Sequence, residues 1–146
     1  MKAIIQRVDS ASVTVENNLM GKIGSGLLIM LGIQRGDKLK DMKYLINKIT
    51  TLRIFNDNNG MNKSIQDVSG EILVISQFTL CADTKKGRRP SFINAENPKI
   101  AKELYELFCQ FLDKMNLQIQ CGTFGAHMKV QSVNNGPVTI ILDSKN

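Results

Sequence analysis

The chain contains one imidazole, His127. Nucleophilic hydrolases usually hand the proton of a serine or cysteine to a histidine that a carboxylate orients. A single histidine therefore leaves little room for a triad, and Ser76 also lacks the G-x-S-x-G turn that exposes such a nucleophile. The same scarcity counts against metal chemistry. One histidine, scattered thiols and no paired acidic motif supply no ligand set, so neither a metal nor another cofactor is expected. The three cysteines, Cys81, Cys109 and Cys121, are odd in number and have no C-x-x-C spacing. Neither a disulfide framework nor a zinc site is suggested, which fits a reducing cytosol. No glycine-rich phosphate loop follows a strand, since Gly24-Ser25-Gly26 precedes one. The longest apolar run, residues 27–31, is far too short to cross a bilayer. The opening Met1-Lys2-Ala3-Ile4-Ile5-Gln6-Arg7 is charged again before an apolar core can develop, so no signal peptide is expected. Repeats, low-complexity tracts and linkers are missing too. These absences point to a soluble cytoplasmic protein.

What is present is ordinary globular material. The 146 residues are 42% hydrophobic and 22% charged, enough for one domain over residues 1–146 with a core that needs no staples. A net charge of +6 favours a polyanionic partner, of which nucleic acid is the commonest.

The organising stretch is residues 71–80. Ile72, Leu73, Val74 and Ile75, followed by Phe78, read as a buried strand behind the Ser69-Gly70 turn. Ser76, Gln77 and Thr79 interrupt that apolar run with neutral hydrogen-bonding groups. A buried polar group without a partner costs about 1–3 kcal/mol, so these three need a purpose. Backbone capping at a strand end is one; a polar pocket facing a ligand is the other.

Along the chain, residues 2–8 and 12–16 read as two strands, and with residues 20–24 they suggest a small antiparallel meander. Residues 27–33 are apolar on both faces, as in a central strand. Asp37 can cap a helix running to Leu52, with Leu39, Met42, Leu45, Ile46, Ile49 and Leu52 at helical spacing. Residues 53–55 suggest a short strand, and a polar stretch follows the turn-rich 56–60. Asn97-Pro98 is a strong helix start. Ile100, Leu104, Leu107, Phe108, Phe111, Leu112 and Met115 mark that helix's apolar face. Residues 117–121, 129–133 and 138–142 read as the closing strands. Strand clusters interleaved with two helices give an α/β layered domain.

Three local features carry chemical weight. Residues 85–89 hold Lys85, Lys86, Arg88 and Arg89 around Gly87, a solvated loop or a phosphate-contacting one. Arg7, inside an apolar strand, either reaches the edge or holds a carbonyl or phosphate. Gly136-Pro137 reads most simply as an ordinary hairpin turn. A cis Gly-Pro bond costs only about 0.5–1 kcal/mol relative to trans, and it would set neighbouring carbonyls side by side as a rigid acceptor pair.

Ser76-Gln77-Phe78-Thr79-Leu80, together with Asn134-Asn135-Gly136-Pro137-Val138-Thr139, closely resembles the two signature motifs of D-aminoacyl-tRNA deacylases. The resemblance extends to Ile5-Gln6-Arg7-Val8, to Lys86-Gly87-Arg88-Arg89-Pro90-Ser91-Phe92 and to Phe124-Gly125-Ala126 with Met128. Asn135 stands where the family often has Asp, and His127 falls at a position the family pattern leaves open.

The resemblance implies a single α/β/β layered domain with two long helices and a mostly antiparallel, barrel-like sheet. It implies an enzyme that hydrolyses the ester joining a D-amino acid, or glycine, to the terminal adenosine of tRNA, and that spares L-aminoacyl-tRNA. The expected partners are that aminoacyl-tRNA and a second copy of the chain, with no DNA and no membrane. In the implied homodimer Gly136-Pro137 is cis, enters the partner's pocket, receives the α-amino group and excludes an L side chain, while Arg7 braces it. Ser76, Gln77, Phe78 and Thr79 would hold the adenosine and polarise the carbonyl, with backbone N–H groups for the oxyanion. The ribose 2′-hydroxyl of the tRNA would help activate water, which accounts for the missing base. Thr79 as covalent nucleophile is the alternative, although no basic partner for it is visible. Phe124, Gly125, Ala126 and Met128 would line the adenosine site. Lys85, Lys86, Arg88 and Arg89 would meet phosphates. Two rivals from other classes are a dimeric RNA-binding module without catalysis and a serine esterase acting on small esters.

Overall fold

The structure, a computed structural model, describes residues 1–145. Its central thread is β1 (Lys2–Val15), a single strand where the sequence suggests two. The polar residues Asp9, Ser10 and Ser12 do not break it, because β1 has partners along both edges. On one edge it pairs antiparallel with β3 (Gly26–Gly32) through residues 2–8, and with β2 (Asn18–Ile23) through residues 11–15. Half of the expected meander is present: residues 11–15 and β2 form an antiparallel hairpin, but residues 2–8 continue the same strand instead of pairing with them as a third. The other edge of β1 is covered by β8 (Lys129–Asp143), again one strand where two are expected. Both halves of β8 pair with β1 rather than with each other, which rules out a hairpin at Gly136-Pro137.

Parallel pairings extend the sheet from β3 to β6 (Glu71–Ser76) and on to β7 (Gln118–Cys121). Strict alternation then sends side chains into two cores. Leu27, Ile29, Leu31, Ile72 and Val74 face the helices, whereas Leu28, Leu73 and Ile75 pack with Val8, Ala11, Val13 and Ile23 on the opposite side. This is why these strands carry apolar residues on both faces. The sheet curls so that β2 approaches β6 and β7, with Gly21 close to Leu73 and Gln120. The outcome is a layer of helices, a central sheet layer and a second sheet layer: a mixed, nearly closed α/β/β arrangement.

Helices α1 (Leu39–Thr51) and α2 (Pro98–Asp113) cover the first core. Asn97 caps α2 as expected, its Oδ1 accepting the Lys99 N–H at 3.0 Å. The buried face of α2 is Ala101, Tyr105, Phe108 and Leu112, while Ile100 is exposed. Asp37 does not cap α1. It is buried, accepts the Gln34 N–H at 2.7 Å and pairs with the Met1 amino group at 2.7 Å. Asp41 instead accepts the Lys38 N–H at the helix start (2.9 Å), and Leu39 is exposed. After α1, residues 53 and 54 lie outside any strand; β4 (Phe55–Asp57) and β5 (Gly60–Lys63) form a small hairpin where only the first is expected.

Candidate active site

Parallel pairing has a geometric consequence. Neighbouring parallel strands release the chain at the same end of the sheet. β3 exits toward Arg35, β6 toward Ser76-Gln77-Phe78 and β7 toward Phe124-Gly125-Ala126, and all of these line one cavity of about 840 Å³. The start of α2 completes the wall with Glu96, Asn97 and Pro98, so the positive end of a 16-residue helix faces the same space. His127, Met128 and Val130 close the far side.

Gln77 is where the sheet ends. Its N–H donates to the Leu31 carbonyl at 2.8 Å, and its carbonyl accepts the Leu80 N–H at 3.2 Å as the chain turns into a short 3-10 helix, Phe78–Cys81. The turn swings Phe78 out of the core. Phe78 is 58% exposed rather than buried, and its ring meets Phe92 edge to face at 4.9 Å on the cavity wall. The capping expectation is not met, since no side chain of Ser76, Gln77 or Thr79 bonds the backbone among the described residues; Gln77 continues the ladder through its own backbone, and Ser76 and Gln77 line the cavity. Thr79 is exposed and lies off the wall, where its hydroxyl accepts a hydrogen bond from Gln77 Nε2. The loop after β7 is drawn in by Tyr105, whose hydroxyl donates to the Val74 carbonyl at 2.8 Å and lies 3.2 Å from that of Gly122. A Cβ at Gly122 would stand 2.7 Å from Met128 Sδ, so only glycine lets Met128 pack there.

The second group of residues lies on the β1–β8 seam. Between the pairs Gln6↔Thr139 and Val8↔Asn134, two steps of β1 are matched by five of β8, and the excess is the Asn134-Asn135-Gly136-Pro137 bulge. Residues 134–137 are exposed, and the Gly136-Pro137 bond is cis. Arg7 is 8% exposed and holds carbonyls. Its Nη1 donates to the Ile54 carbonyl at 2.6 Å, Nε to the Asn135 carbonyl at 3.1 Å and Nη2 to Asn135 Oδ1 at 3.3 Å. The Asn135 amide also donates to Asp9 Oδ1 at 2.7 Å, a bond that an aspartate at this position could not make. Gly136 has φ +124°, and a Cβ there would lie 3.0 Å from Arg7 Nη2.

Within one chain, then, Ser76, Gln77, Phe78, Phe124, Gly125, Ala126 and Met128 come together, and Arg7, Gly136 and Pro137 stand apart from their cavity. Lys85, Lys86, Arg88 and Arg89 are exposed on the loop leading to Phe92, and none is in an ion pair among the described residues. Arg35, Glu96 and His127 were not anticipated on the wall. Arg35 and Glu96 flank the bridge between Gln34 and Ala95, a long-range contact with no local sequence signal. His127 shares the cavity with Ser76, but no hydrogen bond joins them, and both Glu96 oxygens already accept backbone N–H groups from Gly36 and Asn97. A serine–histidine–carboxylate relay is not assembled.

The family model described as D-Tyr-tRNA(Tyr) deacylase matches residues 4–143. A D-aminoacyl-tRNA deacylase of Thermosipho africanus (strain TCF52B) is 53% identical over 146 residues, 99% of this chain and 98% of its own. One of Clostridium botulinum (strain Alaska E43 / Type E3) is 54% identical over 145 residues, 99% of this chain and 97% of its own. Among solved structures, a c-Myc DNA unwinding element binding protein superposes with a TM-score of 0.93 at 41% identity, covering 98% of each chain. A probable eukaryotic D-amino acid tRNA deacylase has a TM-score of 0.81 at 17% identity, over 97% of each chain, a likeness of fold.

Proposed function

The chain belongs to the D-Tyr-tRNA(Tyr) deacylase family, and from that premise we propose that it is a chiral proofreading hydrolase. It is an enzyme, a D-aminoacyl-tRNA deacylase, as its full-length relatives are. It cleaves the ester between a D-amino acid, or glycine, and the terminal adenosine of tRNA, releases the free amino acid and rejects the L isomer. The observation that carries this reading is the cavity at the joint carboxyl ends of β3, β6 and β7, walled by Phe78, Phe92, Phe124 and Met128 and closed by Ser76 and Gln77. Aromatic and thioether walls suit a flat base, and the strand-end amide and hydroxyl suit the ribose and the ester carbonyl.

In this reading Ser76, Gln77 and Phe78 position the ester and polarise it, with backbone N–H groups taking the developing oxyanion. Phe124, Gly125, Ala126 and Met128 hold the adenosine. The tRNA 2′-hydroxyl activates water, so the enzyme needs no histidine base. Arg7, Gly136 and Pro137 form the chirality filter, and because they stand outside their own chain's cavity they serve the cavity of a second copy in a homodimer. The exposed bulge with its buried guanidinium anchor supports this division. The catalytic domain spans residues 1–146 and acts in the cytoplasm on tRNA. Lys85, Lys86, Arg88 and Arg89 contact phosphates of that tRNA rather than of DNA.

Incubating the protein with D-Tyr-tRNA and L-Tyr-tRNA tests the reading: only the D ester is released. Equal hydrolysis of both, or of neither, overturns it. The 41%-identical DNA unwinding element binding protein motivates a second arm. Unlabelled duplex DNA is expected to compete for the protein less well than uncharged tRNA. The alternative with Thr79 as covalent nucleophile is separated by Thr79→Ala. A loss of at most about tenfold, the worth of one hydrogen bond, is expected; a loss of about 10⁴ or more identifies a nucleophile. His127→Ala is expected to leave hydrolysis intact, and its failure to do so favours the serine esterase.

A further inference from the structure

Cys109 on α2 and Cys121 at the end of β7 are distant in sequence, yet the fold places both thiols in one cleft of about 420 Å³, together with Tyr105, Gly122 and Phe124. Both residues are half-buried and both thiols are free. Cys81 is different: it is buried, and its thiol donates to the Ile33 carbonyl at 3.4 Å. The pair is also asymmetric. The neighbouring Cys109 thiol holds Cys121 below its ordinary range, and the neighbouring Cys121 together with burial pushes Cys109 up. Two thiols in one cleft, one more readily ionised than the other, are the arrangement in which one sulfur attacks an oxidant and the other resolves the product.

The neighbouring geometry links this cleft to the larger cavity. Phe124 lines both. Its ring lies 5.7 Å from that of Tyr105, and Gly122, the residue after Cys121, is tied to the end of the sheet by its N–H bond to the Val74 carbonyl. A disulfide requires Cα atoms roughly 4.4–6.8 Å apart with a fixed dihedral. Closing one between Cys109 and Cys121 would therefore set the spacing between α2 and the strand end from which the Phe124 loop departs.

We propose that Cys109 and Cys121 form a thiol–disulfide modification site, oxidised by a peroxide, whose closure alters the cavity that Phe124 walls. The Cys121 thiolate attacks one oxygen of hydrogen peroxide, the O–O bond breaks, and the departing hydroxide takes up a proton and leaves as water. Cys121 is then a sulfenic acid. The Cys109 sulfur attacks it, the S–O bond breaks, and the hydroxyl leaves with the Cys109 proton as a second water. The two thiols together lose two electrons and two protons, and the peroxide gains them. A small dithiol such as dithiothreitol reverses the bond by exchange.

The test treats the full-length protein with a small molar excess of hydrogen peroxide. Thiols are then titrated after denaturation, and the peptides are mapped without reduction. The expected result is a fall from three free thiols to one, an intrachain Cys109–Cys121 cross-link, and restoration by dithiothreitol. Cys81→Ser keeps the cross-link; Cys109→Ser abolishes it and leaves a sulfenic acid on Cys121 that dimedone captures. Persistence of all three thiols, a cross-link through Cys81, or one between chains overturns the site. D-Tyr-tRNA hydrolysis by the oxidised protein is expected to slow several-fold and recover on reduction, while the Cys109→Ser/Cys121→Ser double variant is insensitive to peroxide. An unchanged rate in the cross-linked protein overturns the coupling to the cavity. Only this last measurement rests on the deacylase reading. If that reading fails, the reduced protein is itself inactive while the cross-link still maps.

Discussion

The cavity at the strand ends and the bulge on the β1–β8 seam are held in opposite ways. The cavity is assembled from many elements, each contributing one or two side chains, and its shape follows from parallel pairing of β3, β6 and β7. The bulge is four residues of one strand, exposed to solvent and anchored from beneath by one guanidinium that oxygens of Ile54, Asn56 and Asn135 satisfy. A wall distributed over several elements tolerates the loss of a single contact, because the sheet behind it remains. A ridge resting on one buried cation does not. Removing Arg7 leaves the buried Ile54 carbonyl without its donor and unties the half-buried Asn135 oxygens, and an orphaned buried group is expensive.

The comparison breaks most readily at Arg7. Arg7→Met keeps much of the apolar stem and removes the donors, so unfolding in denaturant is expected to become easier by about 3 kcal/mol. Discrimination between D- and L-Tyr-tRNA is expected to disappear with it. Full stability in that variant would mean the bulge supports itself. Gly136→Ala acts next. Its Cβ would meet Val138 Cγ2 at 2.9 Å and Arg7 Nη2 at 3.0 Å, at a φ of +124° that L residues rarely adopt. A cost of about 1–2 kcal/mol is expected, with D-ester hydrolysis down tenfold or more and the cavity unchanged in nucleotide binding. On the cavity side, Gly122→Ala forces aside Met128 Sδ and Ile75 Cδ1, which would otherwise sit 2.7 and 2.9 Å from the new methyl. Met128 is flexible and can give way, so a loss of about 1 kcal/mol is expected, read as a modest fall in melting temperature and weaker AMP binding by calorimetry. The smallest structural effect comes from the loop. Lys86→Ala/Arg88→Ala is expected to leave stability within about 0.5 kcal/mol. It lowers the slope of log K against log salt for tRNA by about 1.4, the value for two lost phosphate contacts on single strands.

Much of the fold can be read without coordinates. Asn97-Pro98 announces α2 because an amide oxygen and a ring without an N–H fit a helix start and little else. Residues 27–31 and 72–75 announce central strands because they are apolar at every position, and both of their faces are indeed covered. The errors share a cause. Asn134-Asn135-Gly136-Pro137 has the chemistry of a turn between two strands, and a wide bulge in one strand uses the same chemistry; only the shared partner β1 distinguishes them. Leu39, Phe78 and Ile100 fit apolar patterns and are nevertheless exposed. Periodicity records which residues could be buried, and the end of a strand or the rim of a helix decides otherwise.

The sequence by itself determined the two helices, the central strands, the signature stretches at residues 76–80 and 134–139 and the family they mark, since local periodicity and motif order are properties of the chain alone. Tertiary structure alone decided that three strand exits share one cavity, that Arg7 spends its donors beneath the bulge, and that Cys109 and Cys121 meet. Each of these depends on residues far apart in the chain being brought within contact distance, and no pattern of neighbours along a sequence encodes which distant strand will be the partner.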